Sequence, residues 1–575
     1  MPIRYAVVRY RTAPERIARL LPPELEPASV AEVLVDFLTV DLGEHKSVFV
    51  PKPYCESALW VRASYKGEEG FLLLSMPLNG DWGRFAGREL LVLTKKDGEV
   101  GVEKKGKRVR AWIRRRGLEL CRLEAEVTRE PAPEVNWLRE TRFGGFALNF
   151  RLNPDWRNQP FIGGVELVRQ GGTATPPSEE PREGRDVPRA LNLGNTAFRF
   201  VQPSILDPWC ELPVIELLGG SLYENPGLEL NFGSSRPRRD GPIVETLHRY
   251  EDASALAPWM LLGYDRPLER GLPWEPRGWP DAESAFLLSK NETSAWRNRE
   301  TLDFENVRLL DLVLKIDPEL HGAVIPGDVE TGPQPLARIL ALDVPTSDFS
   351  TVGFVELWLL VRCVVGGRDA WYALSHIVGD GGDLLLGREM FGYPSKAGEV
   401  SFELAGQRIS ISGERVGRRF LDIHADEPAV AADDWTGELE VLGLQAETFS
   451  GSVDQQPDRP FGQSRPVKGR LVGQKWQLNL QRIPIDPWGV FLNVPHAAGP
   501  SAVGRPDPWY EIDGCTVLSA NMARGVIRRG PGSVLGEYAD VWPYYRERCD
   551  GTWSAMQVLN AVAPTFRVER EKGLE

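Results

Sequence analysis

Short apolar stretches recur along this chain with alternating polar positions, broken about every ten residues by Gly, Pro or charge. Residues 5–11, 32–41, 57–65, 71–78 and 88–94 read as strands on this pattern. KRVRAWIRRR at 107–116 carries it most clearly, with Val109, Ala111 and Ile113 on one face and Arg108, Arg110 and Arg114 on the other. TAPERIARLLPPELEP differs: Ile17, Leu20 and Leu21 have helical spacing between Thr12 and Pro22-Pro23, which predicts one short capped helix with a stop. Further strands are expected near 146–153, 163–169, 213–217 and 227–232, and a helix-like segment (IVETLHRY) within 242–263.

The pattern is written twice. GRELLVLTKKDGEV at Gly87–Val100 returns as GREMFGYPSKAGEV at Gly387–Val400, an offset of 300 residues. Between 54–126 and 354–426 the offset holds without a gap, and 20 of the 73 pairs are identical. An offset this long means tandem domains, not a short-period solenoid. The predicted division is a first domain over 1–265, a linker over 266–299 rich in Pro, Trp and charge, and a second domain over 300–575 with a divergent C-terminal part. A low-hydrophobicity surface insertion is expected at about 173–212.

Composition narrows the function. The chain has 575 residues, 42% of them hydrophobic, with 57 Gly and 46 Pro, which suits a mainly β protein (all-β or α+β) with many turns. A net charge of −13 argues against a nucleic-acid partner, so the basic face of 107–116 reads as a solvated outer sheet face. Six scattered cysteines without CxxC spacing, no apolar leader and no run of about twenty apolar residues lead to the expectation of a cytoplasmic protein with no membrane partner. The six histidines form no HxxxH or HExxH pattern and there is no GxGxxG or GxxxxGK[ST] loop, so neither a metal nor a cofactor is expected.

Both copies resemble acetoacetate decarboxylase, whose signature is Gly-Arg-Glu followed by Tyr-Pro-Lys-Lys. Gly387-Arg388-Glu389 with Tyr393-Pro394-Ser395-Lys396 is similar to it, as is Gly87-Arg88-Glu89 with Leu93-Thr94-Lys95-Lys96. YRTAPERIARLLPPELEP at 10–27 and LNPDWRNQPFIGGVELV at 152–168 extend the likeness. The resemblance implies two tandem antiparallel β-barrel domains forming an intrachain pseudo-dimer, with further homo-oligomers as in the family. It also implies a Schiff-base lyase acting on a β-keto or related oxo acid. An aldolase or dehydratase working through the same iminium is the related possibility.

By resemblance, Lys95 is the nucleophile, Lys96 a neighbouring cation and Glu56 the acid that positions substrate or moves protons. A lysine needs a lowered pKa for this role, and acetoacetate decarboxylase is itself the standard example. Arg4 is aligned with the arginine that binds the substrate carboxylate, and Asp41 and Asp343 lie where a second acid is expected. The second-copy counterparts are Ser395, Lys396, Glu356 and Arg308. Ser395 cannot form an imine, and Lys396 falls on the other face of its strand. The second domain is therefore expected to be inactive in this chemistry.

From the residues alone other readings stand beside these. Lys95-Lys96-Asp97-Gly98 also fits a solvated turn, Glu56 and Glu356 also fit structural partners of Arg88 and Arg388, and Ser375-His376 before Gly379–Asp383 reads as a Gly turn, not a nucleophile with its base. The rival function is a non-catalytic small-ligand-binding or scaffold protein built on degenerate barrels.

Overall fold

In the computed structural model the described residues are 3–18, 20–40, 54–79, 84, 87–88, 92–115, 117–131, 141, 145–155, 157, 162–170, 190–202, 207, 209–225, 244–250, 300–326, 329–347, 353–379, 387–415, 418–447, 449, 453–454, 465–466, 468–494, 509, 512 and 514–539. Strands of three residues or more in the first copy are β1 (Ile3–Arg11), β2 (Glu32–Val40), β3 (Tyr54–Tyr65), β4 (Glu68–Leu78), β5 (Lys95–Asp97), β6 (Glu99–Lys105), β7 (Arg108–Arg115), β8 (Leu118–Pro131), β9 (Phe146–Leu152), β10 (Ile162–Gln170), β11 (Ala190–Phe200), β12 (Glu216–Asn225) and β13 (Val244–Tyr250). They form one sheet in the order β13-β10-β9-β4-β3-β2-β1-β12-β11-β8-β7-β6, with β5 lying parallel to β4.

The alternation predicted for 107–116 is present. Val109, Ala111 and Ile113 are buried along β7, while Arg110 and Arg114 lie across the ring of Trp112 on the other face. The same period decides what enters the first barrel. Leu34, Asp36 and Leu38 of β2 and Tyr54, Glu56, Ala58 and Trp60 of β3 are buried and, at every second position, share a face.

The second copy contributes β14 (Leu302–Lys315), β15 (Leu336–Val344), β16 (Phe354–Val365), β17 (Arg368–Val378), β18 (Ser395–Ala397), β19 (Glu399–Ala405), β20 (Arg408–Arg415), β21 (Arg418–Asp426), β22 (Asp433–Ala446), β23 (Gly469–Ile485), β24 (Phe491–Asn493) and β25 (Thr516–Tyr538). The order β16-β15-β14-β25-β23-β22-β17 closes on itself through the β16–β17 pairing, so this barrel has no open edge. β19, β20, β21 and β24 form a separate four-stranded sheet. The helix Pro318–Val324 starts at Asp317, whose side chain caps Glu319 N and Leu320 N, with Pro at the first turn.

The copies are bonded to each other. One hydrophobic cluster holds Phe146, Phe150 and Leu152 together with Leu302, Phe304 and Trp358. Gly532 N donates to Pro154 O at 2.8 Å, and Phe449 is covered by Arg151 and Arg249.

Two expectations are corrected. Within the helix-like segment IVETLHRY, Val244–Tyr250 is strand β13, paired antiparallel with β10, because pairing with a neighbouring sheet edge overrides local spacing. The insertion at about 173–212 is structural over its later part: β11 sits between β12 and β8, and Asp207 is buried. The linker over 266–299, Asp41, Glu89 and the segment Asp380–Asp383 lie outside the described residues.

Candidate active site

Lys95 enters the first barrel because a tight turn delivers it there. Leu93 N donates to Gly87 O at 2.9 Å, Lys95 N to Leu93 O at 2.7 Å, and Gly98 N to Leu78 O at 2.9 Å. The second copy makes the same three bonds, Tyr393 to Gly387, Ser395 to Tyr393 and Gly398 to Val378. The exchange of Tyr-Pro for Leu-Thr therefore leaves the backbone turn unchanged. At the second position of the turn the chain needs positive φ: Gly392 supplies it at 70°, whereas Val92 adopts 60°. A β-branched residue there is strained, a feature concentrated at functional sites.

Gly87 has no side chain because Lys95 occupies the space. A Cβ on Gly87 would overlap Cδ and Cε of Lys95. The lysine is 6% exposed, and its Nζ lies 3.0 Å from Glu56 Oε2 and 3.0 Å from the Tyr54 hydroxyl. The Tyr54 hydroxyl in turn donates to Glu56 Oε2. Tyr54 and Glu56 are two apart on β3 and so project together. Met76, Leu78, Leu93 and Trp60 supply the apolar surroundings. An amine that is buried and faces one carboxylate and one phenol has both a proton acceptor and a proton donor within reach.

Lys96 does not share this site. Adjacent strand residues face opposite ways, and Lys96 Nζ pairs with Asp207 at 2.8 Å, beside Arg115 Nε on the same carboxylate at 2.8 Å. The role of neighbouring cation is thus not the one its position gives it. Arg4 is also corrected. It precedes the inward-facing Tyr5 on β1, points to the other face, and bonds Glu224 at 3.1 Å and Val102 O at 3.2 Å. Its counterpart Arg308 pairs with Asp343 in the same outward manner, at 2.6 Å.

Asp36 was missed by the sequence reading and is a further buried acid of the first barrel, on the same face as Glu56. It accepts from the Tyr5 hydroxyl at 2.9 Å, Trp60 Nε1 at 2.9 Å and Ala58 N at 3.0 Å. A carboxylate in the middle of VLVDFLTV was the available signal, the same one that singled out Glu56.

The second barrel keeps the plan and changes the groups. Ser395 takes the place of Lys95 and His376 that of Met76, each pair in register across a parallel bridge. Ser395 Oγ and His376 Nδ1 are 2.7 Å apart, and His376 Nε2 and Glu356 Oε2 are 3.0 Å apart. Arg529 pairs with the other oxygen of Glu356. Burial pulls the Glu356 carboxyl up, but Arg529 and His376 outweigh it and hold it well below the usual carboxylate range. Burial pushes the His376 imidazole down, with Arg529 adding to the effect and Glu356 opposing it. Ser375 is not part of this relay; it meets Trp509 Nε1 at 3.0 Å. Lys396 is buried on the opposite face from Ser395, as the strand period requires.

Among the described residues no three His, Cys, Asp or Glu side chains converge as a metal site would need, and no helix is long and apolar enough to cross a membrane.

A mainly β chain that writes one barrel twice, with a buried lysine facing an acid in the first, defines a narrow class of protein. The chain belongs to the acetoacetate decarboxylase family, whose model matches residues 2–233 and 288–458. A search of curated proteins finds no match. Among solved structures, acetoacetate decarboxylase from Legionella pneumophila is similar at 15% identity and a TM-score of 0.34, over 41% of this chain and 88% of that one. An acetoacetate decarboxylase-like enzyme from Sphingomonas wittichii gives 16%, 0.32, 41% and 94% in the same order. The enduracididine biosynthesis enzyme MppR, complexed with pyruvate, gives 13%, 0.31, 47% and 98%.

Proposed function

We propose that this protein is a Schiff-base lyase acting on a β-keto or related oxo acid through Lys95 of the first barrel. One observation carries the reading: a buried Lys95 Nζ within 3.0 Å of both Glu56 and the Tyr54 hydroxyl. At that distance the Lys95 ammonium can pass a proton to Glu56 and become a nucleophile. The amine attacks the substrate carbonyl carbon, and the carbinolamine loses water with a proton from Tyr54 or Glu56. The resulting iminium takes up the electron pair of the breaking bond to the carboxylate as CO2 leaves. Protonation of the enamine at carbon and hydrolysis return the ketone and Lys95. In the second barrel Ser395 has no amine to offer this sequence.

The rival, a barrel that binds an acidic ligand without covalent chemistry, has its own support. The Glu56 pairing stabilises the ammonium form of Lys95, which is unreactive toward carbonyls. Borohydride reduction in the presence of acetoacetate, pyruvate and other small oxo acids separates the two. The lyase reading expects a secondary amine on the Lys95 peptide and none in Lys95→Ala. Binding of the same acids without any reducible adduct would establish the rival.

A further inference from the structure

The second barrel has lost the lysine, yet it retains a hydrogen-bonded line of three side chains that the imine chemistry does not use. We propose that it is a separate acyl-transfer site, in which Ser395 is a nucleophile toward small esters or thioesters, His376 its base and Glu356 the group that orients the base.

The tautomer follows from the network. Glu356 is held as a carboxylate and can only accept, and His376 is neutral near pH 7, so the hydrogen on the imidazole sits on Nε2 and points at Glu356. The lone pair of Nδ1 then faces Ser395 Oγ, 2.7 Å away, and accepts its proton. This is the order nucleophile, base, orienting acid that activates a serine, with the two ring nitrogens in exchanged roles. The ring is fixed by stacking on Trp358, centroid to centroid at 3.6 Å, and by the edge contact with Tyr393.

A small cavity adjoins the line, bounded by His376, Gly387, Phe391, Tyr393, Gln474 and Arg529. A Cβ on Gly387, which lines the cavity, would come within 2.8 Å of Ser395 Oγ, so the bare glycine keeps that side of the oxygen uncrowded. Arg529 lines the same cavity, and its buried Nε has no hydrogen-bond partner among the described residues. A buried, unpaired donor on a cation is suited to the oxyanion that forms when a carbonyl is attacked.

Ser395 Oγ bonds to the carbonyl carbon, its proton passes to His376 Nδ1, and the carbon–oxygen or carbon–sulfur bond to the leaving group breaks. The leaving alcohol or thiol takes the proton from His376. Water then attacks the acyl carbon, again through His376, and Oγ regains its proton as the acid departs.

The test uses the full chain and methanesulfonyl fluoride, a small serine-directed reagent, with peptide mass mapping. A methanesulfonyl group on the Ser395 peptide is expected, absent from Ser395→Ala. In His376→Gln its rate should fall about 100-fold, the scale of a lost general base. Should that variant not fold, the wild-type rate should still decline as pH is lowered from about 6.5 toward about 4, below the ordinary imidazole range, as the buried ring gains its proton. A folded wild-type protein with no adduct at Ser395, or a rate flat over that range, would overturn the proposal. Neither result touches the imine reading at Lys95.

Discussion

Arg88 of the first copy and Glu389 of the second, 301 residues apart, form a two-pronged ion pair through Arg88 Nε and Nη2. The remaining nitrogen of Arg88, Nη1, donates to the backbone carbonyl of Lys95 at 3.1 Å. The second barrel therefore holds the strand that carries the first barrel's lysine. Removing one side of a buried pair strands the other charge, so Glu389→Ala should cost about 3 kcal/mol. It should also slow imine trapping at Lys95, while Glu389→Asp restores part of it. Equal trapping rates in wild type and Glu389→Ala would remove the link.

The adjacent lysines should differ in chemistry. Lys95→Ala should abolish borohydride trapping and, because it strands the buried Glu56 carboxylate, should also cost about 3 kcal/mol. Lys96→Ala should keep the adduct on Lys95 and lower stability by about 3 kcal/mol, because Asp207 loses one of its two buried cations. An adduct that disappears with Lys96 and survives the loss of Lys95 would reverse the assignment.

Glu56→Gln keeps a hydrogen-bonding group of the same shape beside Lys95 and Tyr54 but can no longer take the lysine's proton. Trapping should slow by about 100-fold without loss of the folded state. An unchanged rate would mean that Glu56 only anchors the lysine.

Acid should loosen the second barrel in two stages. His376 has its pKa lowered in the folded chain, so stability falls as pH drops below the unfolded value of about 6.5, where only the unfolded chain takes the proton. Glu356 is also lowered, so a further loss begins below the unfolded value of about 4.3 and runs on toward its folded pKa. Urea midpoints against pH should show both stages in wild type and lack the upper one in His376→Gln. Parallel curves for the two proteins would rule this out.

The glycine of the repeated Gly-Arg-Glu should be intolerant for chemistry more than for folding. In Gly87→Ala the new methyl meets only the flexible end of Lys95, which can move aside. The fold should persist while trapping falls at least 10-fold, since the amine is displaced from Glu56. Gly392→Ala is the contrasting case: its methyl would meet the backbone of Leu444 and Gln445 at a positive-φ position, and expression of folded protein should drop.

The repeat and most of the strands were legible in the sequence because they rest on local spacing, and Glu56 stood out as a carboxylate in an apolar run, whereas its meeting with Lys95 was expected only from the resemblance to the family. Arg4 and Lys96 were misplaced for one reason. Which face of a strand a residue occupies is settled by alternation against its neighbours, and both stand one position from an inward residue, Tyr5 and Lys95 respectively. Asp36 could have been found by the argument applied to Glu56. Arg529 could not: it reaches Glu356 from a strand 173 residues away, and only closure of the second barrel brings them together.

The bridges that set Met76 opposite Lys95 and His376 opposite Ser395 also constrain how one barrel could acquire the other's chemistry. A lone Ser395→Lys exchange would set a second cation beside Arg529, next to the neutral His376, against a single carboxylate. A lone Met76→His exchange would put an imidazole beside Lys95 with Glu56 already engaged. Each position is viable only with its partner's state, so the two barrels are separated by a paired change whose single-substitution intermediates are both penalised. Descendants of a duplicated barrel that crossed that divide would have no easy route back.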